Sequence, residues 1–151
     1  MIKIICLGKI KEKYLIEAIQ EYQKRLSKYT KLELIELKDE QDSDIKTALT
    51  KEKEQIKKHI KKKDNIVILD INGKEYSSEE LSQFINSEIT QNSNITFIIG
   101  SSNGLDEEIK NLSPKKLSFS RLTFPHQLFR IILLEQLYRS FKILNNEIYH
   151  K

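Results

Sequence analysis

The chain has 151 residues, a formal net charge of +4 and a pI near 9.0, and this length accommodates one domain with a substantial core. Hydrophobic residues at 38% and charged residues at 32% are typical of a soluble globular protein, and no stretch approaches the roughly 20 apolar residues of a membrane span. The single cysteine, Cys6, excludes an internal disulfide, and its aliphatic neighbours predict a small core side chain. Because the N-terminus lacks signal-peptide architecture, we expect a cytoplasmic protein; the mild positive charge permits an RNA partner without requiring one.

The first half of the chain alternates between predicted strands and helices. Residues 2–7 form a continuous apolar run typical of a buried strand, residues 12–29 carry one helical apolar stripe, and residues 30–38 alternate like a second strand. Residues 45–63 predict a highly charged surface helix. We interpret the lysines at its end as a solvated face near a helix C-terminus, with contact to RNA phosphates as the alternative: Lys57, Lys58, Lys61, Lys62 and Lys63.

The second half continues the same alternation. Residues 65–71 have the unbroken apolar pattern of a strand covered on both faces, and Asn72 with Gly73 predicts a turn after it. Ser77 and Glu80 have the spacing of a capping box at the start of the next helix. The remaining predicted elements are that helix to about residue 90, a strand at 94–99, a short helix at 106–112 and a short strand at 117–120.

A charge-poor stretch, residues 117–141, dominates the C-terminal part. After a turn over residues 121–126, with Pro125 expected at the first helical position, a helix begins whose side chains are apolar on nearly every side. In a chain this short, such a helix must be threaded through the fold or covered in part by a second subunit. The alternating elements together predict an α/β fold of three layers with a mostly parallel sheet.

Ligands of open parallel sheets bind beyond the carboxyl ends of the strands, and three strand ends qualify here. The first follows Leu69, the second is the loop 100–104, and the third spans residues 119–121. The loop 100–104 matches neither GxGxxG nor a P-loop, and by itself it predicts only a tight turn. The scattered histidines predict no metal site, and no GxSxG nucleophile elbow is present. These strand ends suit a bound cofactor that brings its own reactivity.

Several motifs occur together in this chain. They are GKIKEKY at residues 8–14, IIGSSNGL at 98–105, LSFSRLTFPHQ at 117–127, EQLYR at 135–139 and YHK at 149–151. In this combination the chain resembles the RlmH group of the SPOUT methyltransferases over its whole length. The TFPH turn together with the terminal YHK is the most specific part of the resemblance.

The resemblance implies one SPOUT methyltransferase domain over residues 1–151, a deep trefoil knot formed by the C-terminal helix, and a homodimer. It implies methylation of N3 of pseudouridine 1915 in helix 69 of 23S ribosomal RNA, on assembled ribosomes. The methyl donor would be S-adenosyl-L-methionine, without a metal. Knots are too rare to predict from sequence patterns alone, but threading and dimerisation both agree with a helix that is apolar nearly all round.

By position, the resemblance assigns the donor contacts to three strand ends, and we expect adenine between apolar side chains, bonded to main-chain groups. Family members commonly have Gly-Gly where this chain has Gly100 and Ser101, so the serine side chain is expected to narrow the donor pocket. The assigned donor contacts are Leu69, Gly100, Phe119, Ser120, Arg121, Leu122, Thr123 and Phe124.

The resemblance also suggests which residues act on the RNA. Arg139 is assigned to the substrate phosphate or to the anion that develops at N3; the alternative is an ion pair with Glu135, four residues earlier. Tyr149 and His150 are assigned to a tail that closes the partner subunit's site, with a frayed terminus as the alternative. His126 is interpreted as a polar residue in the first helical turn.

Two other functions remain open from the sequence. One is a non-catalytic ribosome-binding protein of the same fold, which donor binding would distinguish. The other is an α/β nucleotide-binding enzyme with phosphate at loop 100–104, which the missing GxGxxG fingerprint disfavours.

Overall fold

The structure is a computed structural model and describes residues 1–149. Strands and helices alternate along these residues, as the periodicity of the sequence predicts. In chain order they are β1 (Ile2–Leu7), α1 (Lys13–Leu26), β2 (Leu32–Leu37), α2 (Ile45–Lys57), β3 (Ile66–Glu75), α3 (Ser78–Asn92), β4 (Ile95–Ile99), α4 (Glu107–Lys110), β5 (Lys116–Ser118) and α5 (His126–Leu144).

The five strands form one sheet in the order β2-β1-β4-β3-β5, and every pairing between them is parallel. The central strands β1 and β4 are buried along their whole length, which explains their unbroken apolar sequences. Because all strands run in the same direction, their carboxyl ends meet at one edge of the sheet. The predicted parallel sheet is confirmed.

Side chains alternate between the two faces of the sheet and build two cores. Ile4 and Phe97 point into a core that they share with α1, α3 and α5. Ile5 and Ile98 point to the opposite face. There they pack with Ile56 of α2 and Ile109 of α4. The sheet is therefore the middle of three layers, and the predicted three-layer α/β architecture is confirmed.

Strand β3 shows where the local turn signal was wrong. Asn72 and Gly73 lie inside the strand, which continues to Glu75 and pairs a second time with β5 through Lys74 and Leu117 after a register shift. A Cβ atom at Gly73 would lie 2.7 Å from the Leu117 backbone nitrogen. The glycine is thus used for close approach of two backbones, and pairing with a strand some 40 residues later overrides the turn preference.

The capping signals predicted the start of α3 correctly and the start of α5 with an error of one residue. In α3, the Ser77 hydroxyl accepts from the Glu80 amide at 3.1 Å while the Glu80 carboxylate accepts from the Ser77 amide at 2.7 Å, which confirms the capping box. At α5, Pro125 is the N-cap and His126 is the first helical residue. Pro125 has extended backbone angles, φ −53° and ψ 130°, so it precedes the helix.

Helix α2 ends at Lys57, six residues before its predicted end. In a longer helix Lys58 and Lys62 would be neighbours at four-residue spacing, and repulsion between like charges disfavours that arrangement. The chain leaves the helix through tight turns instead.

Helix α5 is only partly covered by the described chain. Leu133, Leu134 and Leu137 are fully buried against the core shared with α1 and α3. Leu128, however, is 40% exposed, and Ile132 is half-buried. An apolar stripe therefore remains open along a helix that the sequence predicted to be covered on all sides. Among the described residues, no helix is long and apolar enough to cross a membrane.

Cys6 is a core residue of β1, as predicted. Its side chain is fully buried, and the sulfur lies 3.4 Å from the carbonyl oxygen of Ile35. Burial raises the pKa of the Cys6 thiol to about 12, so the thiol remains protonated and unreactive near neutral pH.

Candidate active site

A cleft of about 420 Å³ lies at the carboxyl edge of the sheet, where β3, β4 and β5 end. Loops from all three strands line it, together with the beginning of α5. Its volume lies in the range of small-molecule sites, and its position is the one that parallel-sheet topology predicts.

The structure brings seven of the eight predicted ligand contacts to this cleft. An aromatic wall forms one side, with ring centroids 5.2 Å apart for Phe119 and Phe129 and 6.2 Å apart for Phe124 and Phe129. Arg121 is exposed and does not line the cleft. The seven that do are Leu69, Gly100, Phe119, Ser120, Leu122, Thr123 and Phe124.

The loop after β4 comes so close to itself that it requires a glycine at position 100. A Cβ atom there would lie 2.4 Å from the carbonyl oxygen of Gly104. Gly104 has φ +81°, and its amide donates to the Ser101 carbonyl at 2.9 Å. At Gly100 and Gly104, which carry no side chain, this tight turn brings main-chain groups to the wall of the cleft.

Ser101 is held by a helix on the far face of the sheet. Its hydroxyl donates to the Glu52 carboxylate of α2 at 3.0 Å and accepts from the Asn103 amide at 3.3 Å. Ser101 belongs to the cleft lining, but these two bonds fix its side chain within the loop. This serine was expected to narrow the donor pocket. The two hydrogen bonds show that the same side chain also stabilises the loop.

Glu52 itself is 2% exposed, although no motif in the sequence marks it as a site residue. Its second oxygen accepts from the Glu40 amide at 3.1 Å. Burial raises the pKa of the Glu52 carboxyl, against the lowering by its hydrogen bonds. The sequence around it is charged throughout, so nothing in the pattern distinguishes this glutamate from its exposed neighbours.

Glu52→Gln is expected to flatten the dependence of stability on pH. Because the folded-state pKa of Glu52 is raised, its contribution to stability is full below the unfolded-state pKa and is lost as pH rises through the folded-state pKa. The variant should therefore gain stability relative to wild type as pH rises from acid to neutral. Urea unfolding at several pH values measures this.

Glu54→Gln is the matched control, since Glu54 is an exposed glutamate on the same helix. This variant controls for the loss of one glutamate charge from α2. Equal pH profiles for wild type and Glu52→Gln would contradict the prediction.

A buried arginine anchors the beginning of α5 beside the cleft. Arg130 is fully buried; it donates to the Glu36 carboxylate at 2.7 Å and to the Leu7 carbonyl at the end of β1. Sequence analysis missed it, and the only signal was an arginine in an otherwise apolar stretch. The contacts tie α5 to the carboxyl ends of two strands.

His126 lies one turn before Arg130 and lines the cleft. Its Nε2 is shielded from solvent and has no hydrogen-bond partner among the described residues. Burial, and then the Arg130 charge, lower the pKa of His126, whereas Asp39 raises it. The imidazole is therefore neutral near pH 7, in a space so tight that a Cβ at Gly8 would lie 3.1 Å from Nε2.

Arg139 and Tyr149 meet at Glu135, farther along α5. Arg139 donates to Glu135 Oε1 through Nη2 at 2.8 Å and Nε at 3.1 Å, and the Tyr149 hydroxyl donates to the same oxygen at 3.1 Å. The Arg139 guanidinium lies 4.7 Å from the centre of the Tyr149 ring. The alternative of a Glu135 ion pair is thus observed. Tyr149 is packed against α5, and His150 lies outside the described residues.

The two groups of predicted site residues do not meet within one chain. Thirteen residues of a single helix separate His126, at the cleft, from Arg139, which corresponds to about 20 Å at 1.5 Å per residue. Only a second chain could bring the Arg139 cluster of one molecule to the cleft of another. Among residues 1–149, no group of three His, Cys, Asp or Glu side chains could hold a metal ion.

The chain is similar to known proteins over its whole length. A family model described as Predicted SPOUT methyltransferase matches residues 1–150. The ribosomal RNA large subunit methyltransferase H of Caldicellulosiruptor bescii is 53% identical over 154 residues, covering 100% of both chains. The protein of the same name from Acetivibrio thermocellus is 51% identical, covering 99% of both.

A solved structure supports the fold alone. A probable methylase family protein from Haemophilus influenzae Rd KW20 aligns with a TM-score of 0.57 at 15% identity, covering 99% of this chain and 70% of the other.

Proposed function

The chain belongs to the SPOUT methyltransferase family, and from this premise we propose that it methylates N3 of pseudouridine 1915 in helix 69 of 23S ribosomal RNA. Its methyl donor would be S-adenosyl-L-methionine, its substrate the assembled ribosome in the cytoplasm, and its working form a homodimer. The relatives named ribosomal RNA large subunit methyltransferase H support the RNA substrate, since each aligns over the full length of this chain.

The cleft at the carboxyl edge of the sheet is the observation that carries the proposal. Its volume of about 420 Å³ suits a nucleoside-sized molecule, and its Phe119, Phe124 and Phe129 wall suits a planar base. The loop would bond the polar edges of the donor through main-chain groups at Gly100 and Gly104, where no side chain is present. When bound, the donor supplies an activated methyl group, so the protein's own task is chiefly to position and to desolvate.

The RNA base needs help that the Arg139 cluster can provide. N3 of the base is an imide nitrogen that must lose its proton, and a fixed cation stabilises the developing anion or binds the adjoining phosphate. Arg139 carries that charge, and Glu135 and Tyr149 fix its direction. Burial and Glu135 raise the pKa of Tyr149, which keeps the phenol protonated as a donor. His150 would act with Tyr149 in closing the site.

The separation of the cleft from Arg139 supports a homodimer whose sites are composite. About 20 Å of helix lies between them in one chain, and a symmetric pair can place the Arg139 cluster of each subunit at the cleft of the other. The open stripe on α5, including Leu128, offers apolar surface for the contact. Sedimentation equilibrium should give twice the chain mass of 17.8 kDa.

The deep trefoil knot also belongs to the proposal. Helix α5 packs between α1 and α3 on one face of the sheet, and its first turns are tied to β1 through Arg130. A crystal structure of the dimer with S-adenosyl-L-methionine would test the knot and the composite site together.

Methyl transfer to ribosomes tests the function directly. Ribosomes from cells that lack the protein are incubated with it and with labelled S-adenosyl-L-methionine, and the modified nucleotide is located by mass spectrometry. We expect label on the helix 69 pseudouridine and none on free 23S RNA. Label elsewhere would contradict the substrate but not the donor. Donor binding without any label would favour the non-catalytic ribosome-binding alternative.

A further inference from the structure

The chain beyond α5 is fastened by one carboxylate that is held from two sides. Tyr29, which follows α1, donates its hydroxyl to Glu147 Oε1 at 2.7 Å, and Lys142 of α5 forms an ion pair with Glu147 Oε2. The Glu147 amide also donates to the Lys142 carbonyl at 2.9 Å. We refer to Tyr29, Lys142 and Glu147 as the C-terminal clasp.

The clasp closes a turn that reverses the chain. After α5 ends, the Asn145 side chain donates to the Phe141 carbonyl at 2.8 Å, and Asn146 adopts φ 53°, the left-handed conformation that asparagine tolerates. The ring of Tyr29 stacks on Phe141 with centroids 5.5 Å apart and planes at 6°. The anchor on the α1 side is therefore rigid, because the tyrosine that binds Glu147 is itself fixed against α5.

The turn sets the directions of the next two residues. Ile148 is 98% exposed, whereas Tyr149 returns to α5 with its ring 5.0 Å from that of Tyr138. Glu147 therefore selects this path together with the contacts of Tyr149 itself, whose hydroxyl donates to Glu135.

We propose that the C-terminal clasp is a positioning device for the methyl-transfer reaction, by which Tyr29 and Glu147 fix the path that brings Tyr149 back against α5. This inference rests on the proposed function. Tyr29 and Glu147 touch neither the cleft nor Arg139, and they act through Tyr149. The Lys142 and Tyr29 hydrogen bonds lower the pKa of Glu147, so the carboxylate is ionised throughout the neutral range.

A positioning role is separable from a stabilising one. The Glu147 side chain is 40% exposed, and exposed ion pairs contribute little to folding stability. A displacement of a reacting group by about 1 Å, in contrast, lowers the rate of the chemical step steeply. Loss of the clasp should therefore reduce the turnover number without loosening the donor cleft or unfolding the protein.

The test compares Tyr29→Phe and Glu147→Gln with wild type in methyl transfer to ribosomes. Each should lower kcat by about tenfold or more and leave KM for S-adenosyl-L-methionine unchanged. Tm should stay within about 2 °C of wild type. Tyr14→Phe is the matched control, since Tyr14 lies on α1 and is 69% exposed, and it should behave as wild type. Lys142→Arg, which keeps the cation, should retain most of the rate.

Hydrogen exchange gives a readout that does not depend on activity. The main-chain amide of residue 147 donates to the Lys142 carbonyl in wild type, which protects it from exchange. It should exchange faster in Tyr29→Phe and Glu147→Gln. Unchanged kcat in both variants, or a fall in kcat matched by a fall in Tm, would overturn the inference. Wild-type protein that transfers no methyl group would instead overturn the proposed function, while the exchange rates still report on the clasp.

Discussion

Removal of residues 149–151 is expected to abolish methyl transfer to ribosomes while leaving donor binding intact. Within one chain, Tyr149 lies with Arg139 and Glu135, about 20 Å of helix away from the cleft at His126. The deletion should therefore leave every cleft residue in place and remove groups that we propose to act on the RNA base. Losing fixed electrostatic groups of this kind typically lowers kcat by about 100- to 1,000-fold.

Isothermal titration with S-adenosyl-L-methionine and methyl transfer to ribosomes measure the two effects separately. A full-length variant with alanine at positions 149, 150 and 151 is the matched control for chain length. It should be as inactive as the deletion if the side chains matter. Full turnover by the shortened protein would contradict the tail's role, and a loss of donor affinity would show that the tail supports its own subunit's cleft.

Mixed dimers distinguish a composite site from one built within a single chain. The deletion variant is refolded together with Gly100→Val, in which a side chain meets the Gly104 carbonyl and disrupts the cleft loop. If tail and cleft come from different subunits, each mixed dimer contains one complete site. Activity should return to about a quarter of wild type, because about half of the dimers are mixed. No recovery, with mixed dimers present, would contradict a tail that acts across the dimer.

Replacement of Arg130 by leucine is expected to have the largest effect on stability. Arg130 is fully buried, and its loss leaves the Leu7 carbonyl without that donor and Glu36 without its cation. The Glu36 side chain is 34% exposed, so the loss comes mainly from the hydrogen bonds of the buried guanidinium, and losing them typically lowers the free energy of unfolding by about 1–3 kcal/mol. Because Arg130 ties α5 to β1 one turn after His126, donor affinity should fall as well.

Urea unfolding measures the loss at a fixed protein concentration, since the stability of the proposed dimer would depend on concentration. Arg25→Leu is the contrasting variant. Arg25 also forms a close ion pair, 2.8 Å from Glu21, but its side chain is 41% exposed, so its replacement should change stability little. Equal losses for the two variants would show that burial of the Arg130 side chain is not what matters.

Much of the fold could be predicted from local patterns. The unbroken apolar runs around Ile5 and Ile98 predict central strands of a parallel sheet, and the Ser77 and Glu80 pair predicts the start of α3. The cleft follows from the same reasoning, because the carboxyl ends of parallel strands share an edge. The assignment of Leu69 and Phe119 to that edge needed only the order of the elements and a family resemblance.

Local patterns were therefore enough to predict the order of the elements, the parallel sheet and the edge of the sheet at which the cleft lies, since these depend on periodicities and caps within a few residues. The remaining features arise from contacts between residues that are distant in the chain. These contacts drew Gly73 into a strand, buried Glu52 under Ser101, and joined Arg130 to Glu36 across 94 residues and Tyr29 to Glu147 across 118. A charged side chain is stable in a fold where a partner meets it, and partners so distant along the chain leave no local pattern to read.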